Sequence, residues 1–274
     1  MIKIIIDSTA YITKEELEQH DITVVPLNID FLGSQFPDII PGSFDDFYKK
    51  LRESKEFPKT SQPSVGAFAE IFEQELAKGN EILVLTISTG LSGTYNSAIA
   101  AKNTFNTDKI AVVDTLSSVA CMKFLVDIAV KMRDEGVGLH QIAQAVTEKR
   151  PDACALLTVG DLEYLRRGGR LTNAQAVIGT LLDIKPIILF KGGILKAIEK
   201  VRGRKKTLNR IIEMIPQNAS RLQALHIDSA EEAGKINEKL KELFPDADIL
   251  PPAVIGPVIG SHLGPGTIGI TYIL

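Results

Sequence analysis

Three short runs of unbroken apolar character constrain this chain most: residues 2–7 (IKIIID), 81–86 (EILVLT) and 109–114 (KIAVVD). A run that is apolar at nearly every position has no face to give to water. It suits a strand covered on both sides, as in a parallel sheet sandwiched between helices. Amphipathic segments separate the runs. TKEELEQH opens with Thr13 and, three residues on, Glu16, a capping box. SFDDFYKKLRE puts Phe44, Phe47, Tyr48 and Leu51 on one face. SVGAFAEIFEQELAKG aligns Val65, Phe68, Phe72 and Leu76, with Ser64 as N-cap and Gly79 as the stop. Strands alternating with helices predict a doubly wound parallel sheet.

The pattern changes after Arg150. ACALLTV, KPIILFKGGILKAIEKV, RLQALHID, ADIL and TIGITYIL read as strands, the second a hairpin turning at Gly192-Gly193. LTNAQAVIGTLL, TLNRIIEMI and SAEEAGKINEKLKELF read as helices. The class is therefore α/β in two parts: a doubly wound parallel part over 1–157 and a mixed α/β part over 158–274. No Ser- or Pro-rich linker separates them, so they are expected to pack closely. AQAVIGTLLDIKPIILF is apolar almost throughout and fits either a buried helix and strand or the wall of an apolar tunnel.

Composition narrows the function. The 274 residues are 45% hydrophobic and 24% charged, with a net charge of −3. No basic field spans the chain to recruit nucleic acid. Five of the seven residues from Lys200 to Lys206 are Lys or Arg, a local patch suited to a solvated helix start or an acidic partner. No aromatic residue interleaves with it, against single-stranded nucleic acid. No apolar run is long enough to span a bilayer, the opening residues do not form a signal sequence, and a cytoplasmic location is expected. Cys121 and Cys154 form no CxxC motif and read as buried thiols.

Two hydroxyl-rich loops stand out. ISTGLSGTYNSA (87–98) follows EILVLT and leads into a helix; KTSQPS (59–64) precedes another. Helix starts offer unpaired N–H groups and a partial positive charge, and hydroxyls add directed donors, so both loops could hold an anionic group. Ser, Thr and Gly are equally the ordinary residues of caps and turns. A third segment, VIGPVIGSHLGPGTIG (254–269), places His262 among glycines and prolines with no helix to bury it. It reads as a turn histidine or as a donor to an anionic head group.

Known catalytic signatures are missing. GLSGT carries Thr94 where a G-x-S-x-G elbow has its last glycine. Neither a P-loop nor a G-x-G-x-x-G fingerprint occurs. No His/Cys/Asp/Glu cluster has metal-ligand spacing. A hydrolase with Ser92 as nucleophile and His262 as base remains open, as does a nucleotide sensor using the basic patch.

Taken together, IIIDST, KTSQPS, ISTGLSGTYNSA, VVDTLSSVA, LEYLRRGGRLTNAQAVIGTLLDIKPII, KVRGRKK and IGSHLGPGTIG resemble the DegV family of bacterial lipid-binding proteins, in order and along the whole chain. A family "DS" appears here as Asp114-Thr115. The resemblance implies a two-domain α/β carrier, not an enzyme, that holds one long-chain, palmitate-like fatty acid in a buried tunnel, with no metal or other cofactor. It implies that Thr60 and Ser92 hold the carboxylate, with Ser61 and His262 close by. It also implies presentation of the acid to a separate fatty-acid kinase that makes an acyl phosphate. Arg170 and Arg202, in the family's basic segments, are the expected docking residues.

Overall fold

The computed structural model describes residues 1–38, 44–172 and 184–274. Its first layer is a four-stranded parallel sheet of β1 (Ile2–Asp7), β2 (Ile22–Val25), β6 (Glu81–Thr86) and β7 (Ile110–Asp114), in the order β2-β1-β6-β7. The three apolar runs become β1, β6 and β7, because β-branched residues buried on both faces favour a pleated backbone. Alternation decides which helix each side chain meets. Ile5, Ile82 and Val84 pack with Phe68 and Phe72 of α3 (Val65–Ala77) and with Ala98 and Ala101 of α4 (Thr94–Lys102). Ile4, Ile6, Leu83 and Leu85 face the opposite way. They pack with Met122, Phe124 and Leu125 of α5 (Val119–Asp134) and with Ile142 and Val146 of α6 (Leu139–Lys149). Helices on both faces make the sheet doubly wound, with its topological switch between β1 and β6.

The second layer is a seven-stranded mixed sheet. It contains β8 (Ala153–Thr158), β9 (Leu171–Thr172), β10 (Ile184–Lys191), β11 (Ile194–Arg202), β12 (Arg221–His226), β13 (Asp248–Val254) and β14 (Ile268–Ile273). The order is β13-β12-β14-β8-β10-β11-β9. Because β8 begins at Ala153, the change of sheet falls a few residues ahead of 157. One face is covered by α8 (Arg204–Glu213) and α9 (Ala230–Leu243), through Leu208, Ile211, Ala233, Ile236 and Leu240. Ala155, Leu157, Ile188, Phe190 and Leu225 on the other face share one core with α5 and the first sheet. Most of the helix expected over LTNAQAVIGTLL lies outside the described residues.

A third, small sheet follows the first. ITVVPLNIDFLG is extended with a break at proline: Pro26 and Leu27 divide β2 from β3 (Asn28–Phe31). β3 then pairs antiparallel with β4 (Ser34–Pro37) and β5 (Lys59–Ser61). The KTS of the second hydroxyl loop is thus a strand.

The hairpin at Gly192-Gly193 forms as expected, with φ of 60° and 83° at the two glycines. Its tip crosses to the first sheet. Ser88 Oγ donates to the Gly193 carbonyl at 2.7 Å. A Cβ on Gly90 would lie 2.5 Å from that same oxygen, so only glycine admits the approach. The hairpin therefore fastens the ISTGLSGT loop to the second layer.

Candidate functional site

In an open α/β sheet, ligands bind beyond the carboxyl ends of the strands at the switch point. Here those ends are tied together by Asp7, fully buried after β1. Its carboxylate accepts from Thr9 N–H at 2.9 Å, Thr9 Oγ1 at 2.6 Å and Ile87 N–H at 2.5 Å. Burial pushes Asp7 up to about 6, against the pull of those three donors.

Beyond this edge lies a narrow channel. About 820 Å³ of empty space lies within it and at its mouth. The walls come from both layers: Leu27, Ile87 and Leu91 from the first, Ala155, Phe190, Leu195 and Leu225 from the second. Val258, Ile259 and Leu263 of α10 (Pro257–Leu263) complete them. Thr60, Ser61, Gln62, Ser92, Arg170 and His262 also line the space. A slot with apolar walls and a few converging polar groups suits a long, thin, amphipathic ligand.

His262 corrects the sequence reading. It sits in the last turn of a helix, α10, that the density of glycine and proline concealed. Pro257 occupies the first turn, where its missing N–H costs nothing. Gly264, at φ +76°, ends the helix. Two tyrosines hold α10 in place: Tyr48 Oη donates to the Ile255 carbonyl, and Tyr11 Oη accepts from Ile259 N–H at 3.2 Å.

The imidazole Nε2 lies 2.7 Å from Thr60 Oγ1. Nδ1 is buried with no hydrogen-bond partner among the described residues. A buried N–H without an acceptor is rarer than a buried lone pair without a donor. The proton therefore belongs on Nε2, donated to Thr60 Oγ1, which leaves the threonine hydroxyl hydrogen aimed elsewhere. Burial, and secondarily the Arg170 guanidinium, hold His262 down to about 4, so the ring is neutral at pH 7.

Ser92 Oγ is 2.9 Å from Thr94 Oγ1. Its loop is shaped by Ser88, whose carbonyl accepts from Leu91 and Ser92 N–H at 3.0 Å each, while its Oγ accepts from Gly90 N–H at 3.0 Å. Ser92 is not paired with His262, whose partner is Thr60, so the nucleophile–base pair of a serine hydrolase is not assembled here.

Arg170 lies closer to the polar end than its place in a basic segment suggested. It lines the channel mouth and donates to the Leu91 and Gly168 carbonyls at 3.3 and 2.5 Å. Arg202, paired with Ile184 at the far end of the hairpin, is seven residues beyond Leu195, the register partner of Leu171. At about 3.3 Å per strand residue that is roughly 23 Å from the level of Leu171, the residue after Arg170. The structure thus gathers Thr60, Ser61, Ser92, His262 and Arg170 at one cavity and leaves Arg202 outside it.

Two participants escaped the sequence reading. Gln62 is inside the quoted KTSQPS motif but carries no hydroxyl. Gly168 is inside the quoted LEYLRRGGRL segment but was not singled out, yet a Cβ there would lie 2.5 Å from His262 Nδ1. Among the described residues no group of three or more His, Cys, Asp or Glu could hold a metal ion. None of their helices is long and apolar enough to cross a membrane.

With this geometry in hand, comparison with known proteins is decisive. The family model described as "Uncharacterised protein, DegV family" matches residues 1–274. The chain belongs to the DegV family. It is similar to the crystal structure of DegV, a fatty acid binding protein from Bacillus subtilis, at 35% identity and a TM-score of 0.88, covering 100% of this chain and 99% of that one. A DegV family protein from Thermus thermophilus, described for its fatty acid binding, matches at 31% identity and a TM-score of 0.89, again over 100% and 99%. A stearic acid-binding protein from Eubacterium ventriosum matches at 30% identity and a TM-score of 0.85, over 100% and 98%. DegV relatives that bind fatty acids thus share both layers of this fold.

Proposed function

We propose that this protein is a non-catalytic carrier of one long-chain, palmitate-like fatty acid, acting in the cytoplasm. The single observation behind this reading is the narrow apolar channel with hydroxyls, a neutral imidazole and an arginine at one end. The acyl chain supplies the affinity: at about 0.8 kcal/mol per buried methylene, sixteen carbons give about 12 kcal/mol of gross transfer energy. The head group needs only to be oriented. Thr60, its hydroxyl hydrogen turned outward by His262, and Ser92 donate to the carboxylate. Ser61 adds a nearby donor, and Arg170 offsets the negative charge at the mouth.

The carboxylate end is also the end that a partner enzyme can reach. We propose that a fatty-acid kinase takes the acid here and forms the acyl phosphate. Arg170 and Arg202 are the docking residues. The roughly 23 Å between the level of Leu171, next to Arg170, and Arg202 fits within one standard interface of about 800 Å² per partner.

The test is mass spectrometry of the purified protein, native and after solvent extraction, with Thr60→Val/Ser92→Ala beside wild type. One fatty acid per chain is expected in the wild type. Hydrogen bonds to a charged group contribute about 1.5–3 kcal/mol each, so the double variant should bind about a hundredfold or more weakly. An empty wild type that also fails to take up added palmitate would overturn the carrier reading. Turnover of a chromogenic ester, lost in Ser92→Ala, would replace it with a hydrolase.

A further inference from the structure

The channel wall holds a buried hydroxyl to which the carboxylate reading gives no role. Ser118 lines the channel at 4% exposure, and its Oγ has no hydrogen-bond partner among the described residues. The other buried hydroxyl on the wall, Thr271, is satisfied: its Oγ1 donates to the Gln223 carbonyl at 3.1 Å. Ser118 could have been satisfied as well. It occupies the N-cap position of the sixteen-residue α5 in extended backbone, φ −160° and ψ 166°, the conformation from which serine caps a helix. It makes no such bond. The hydroxyl and the first N–H groups of α5 thus lack the bond that a serine cap would make between them, and a helix start carries partial positive charge. A desolvated hydroxyl without a partner costs about 1–3 kcal/mol, so its retention in an otherwise apolar wall calls for a ligand group that meets it.

Ser118 stands on a different element from the head-group donors: it follows β7, where the carbonyl of its neighbour Ser117 accepts from Ser88 N–H at 3.0 Å, whereas Thr60 lies on β5. Val119, next to Ser118, lines both this channel and a separate groove shared with Tyr11, Lys123 and Arg221.

The geometry points to Ser118 and the start of α5 as a second polar subsite, one that accepts an oxygen carried on the acyl chain. The ligand class is a hydroxy or oxo long-chain fatty acid. A chain hydroxyl can accept from the helix N–H groups and exchange a hydrogen bond with Ser118 Oγ; a ketone oxygen can accept from both. This inference rests on the carrier reading.

The experiment measures dissociation constants of stearate, 10-hydroxystearate, 12-hydroxystearate and 12-oxostearate for wild type, Ser118→Ala and Ser118→Thr, with melting curves for each. In wild type, at least one oxygenated acid should bind as tightly as stearate or more tightly. Ser118→Ala should weaken that acid about 5- to 10-fold, the equivalent of one hydrogen bond, while stearate stays within about twofold. Ser118→Thr, which keeps the hydroxyl, should restore it. Stearate bound normally with every oxygenated acid weaker by tenfold or more would overturn the subsite and leave the carrier reading intact. Equal weakening of all four acids by Ser118→Ala would also overturn it, placing Ser118 with the carboxylate donors. Failure of stearate itself to bind wild type would remove the carrier reading, and the subsite with it.

Discussion

Gly168→Ala separates the site from the fold more cleanly than deletion of a polar group. Gly168 is the last residue of α7 (Leu162–Gly168), where alanine favours the helix by up to about 1 kcal/mol. The added methyl, however, would sit 2.5 Å from His262 Nδ1 and 3.3 Å from its Cγ. Ordinary contact begins near 3.4 Å, so the ring must retreat by about 0.9 Å. A retreat of that size displaces Nε2 from the position in which it lies 2.7 Å from Thr60 Oγ1 and breaks the geometry of that hydrogen bond. Thr60 then loses the partner that aims its hydroxyl. The loss of one oriented hydrogen bond, about 1–1.5 kcal/mol, corresponds to roughly 5- to 10-fold weaker binding of palmitate. Isothermal titration would read the affinity and differential scanning calorimetry the stability, which should change by no more than about 1 kcal/mol. In a His262→Ala background the same glycine substitution should have no effect on affinity, since no ring remains to be displaced. Wild-type affinity in Gly168→Ala would refute the assignment of His262 as the group that orients Thr60.

Two other outcomes follow from the same geometry. His262 is held at about 4 in the fold against an ordinary 6.5, so the unfolded chain takes up a proton in that interval and the folded chain does not. Its contribution is intact above pH 6.5 and lost as pH falls to about 4, a change of about 3 kcal/mol. Asp7 runs the other way: raised from 3.8 to about 6, it makes stability fall as pH rises through that range. In denaturant titrations, the stability of wild type minus that of His262→Gln should therefore increase from pH 4 to pH 7, and a flat difference would contradict the buried neutral ring. Gly193→Ala places a Cβ 2.4 Å from Ser88 Oγ at a φ of +83°, and should cost about 1–3 kcal/mol in chemical unfolding while weakening palmitate binding through the Ser92 loop.

Legibility in the sequence followed the range of the interaction that fixes each element. The Thr13–Glu16 capping box, the Ser64 N-cap and the Gly192-Gly193 turn are settled within four residues, and all three form as read. The buried strands were legible because IKIIID and EILVLT leave no face for water. The three-stranded sheet was not: β3, β4 and β5 have three or four residues each, too short for periodicity, and their pairing joins positions such as Ile29 and Thr60. The α10 helix was hidden because its stability comes from Tyr11 and Tyr48, more than 200 residues away in sequence. Of the site, hydroxyl type and loop context exposed Thr60, Ser61 and Ser92. The closeness of Arg170 to His262, and the steric dependence of His262 on Gly168, exist only after folding.

The channel walls belong to both layers, and that has a bearing on the lifetime of the carrier. On the carrier reading, a bound acyl chain completes a core to which both sheets contribute. Cargo and fold then share one equilibrium: ligand at a hundred times its dissociation constant adds about 2.7 kcal/mol to stability. A laden carrier resists proteases, whereas an empty one opens more often and is cleared sooner. The amount of this protein in a cell would then track the supply of free fatty acid with no change in the rate of its synthesis.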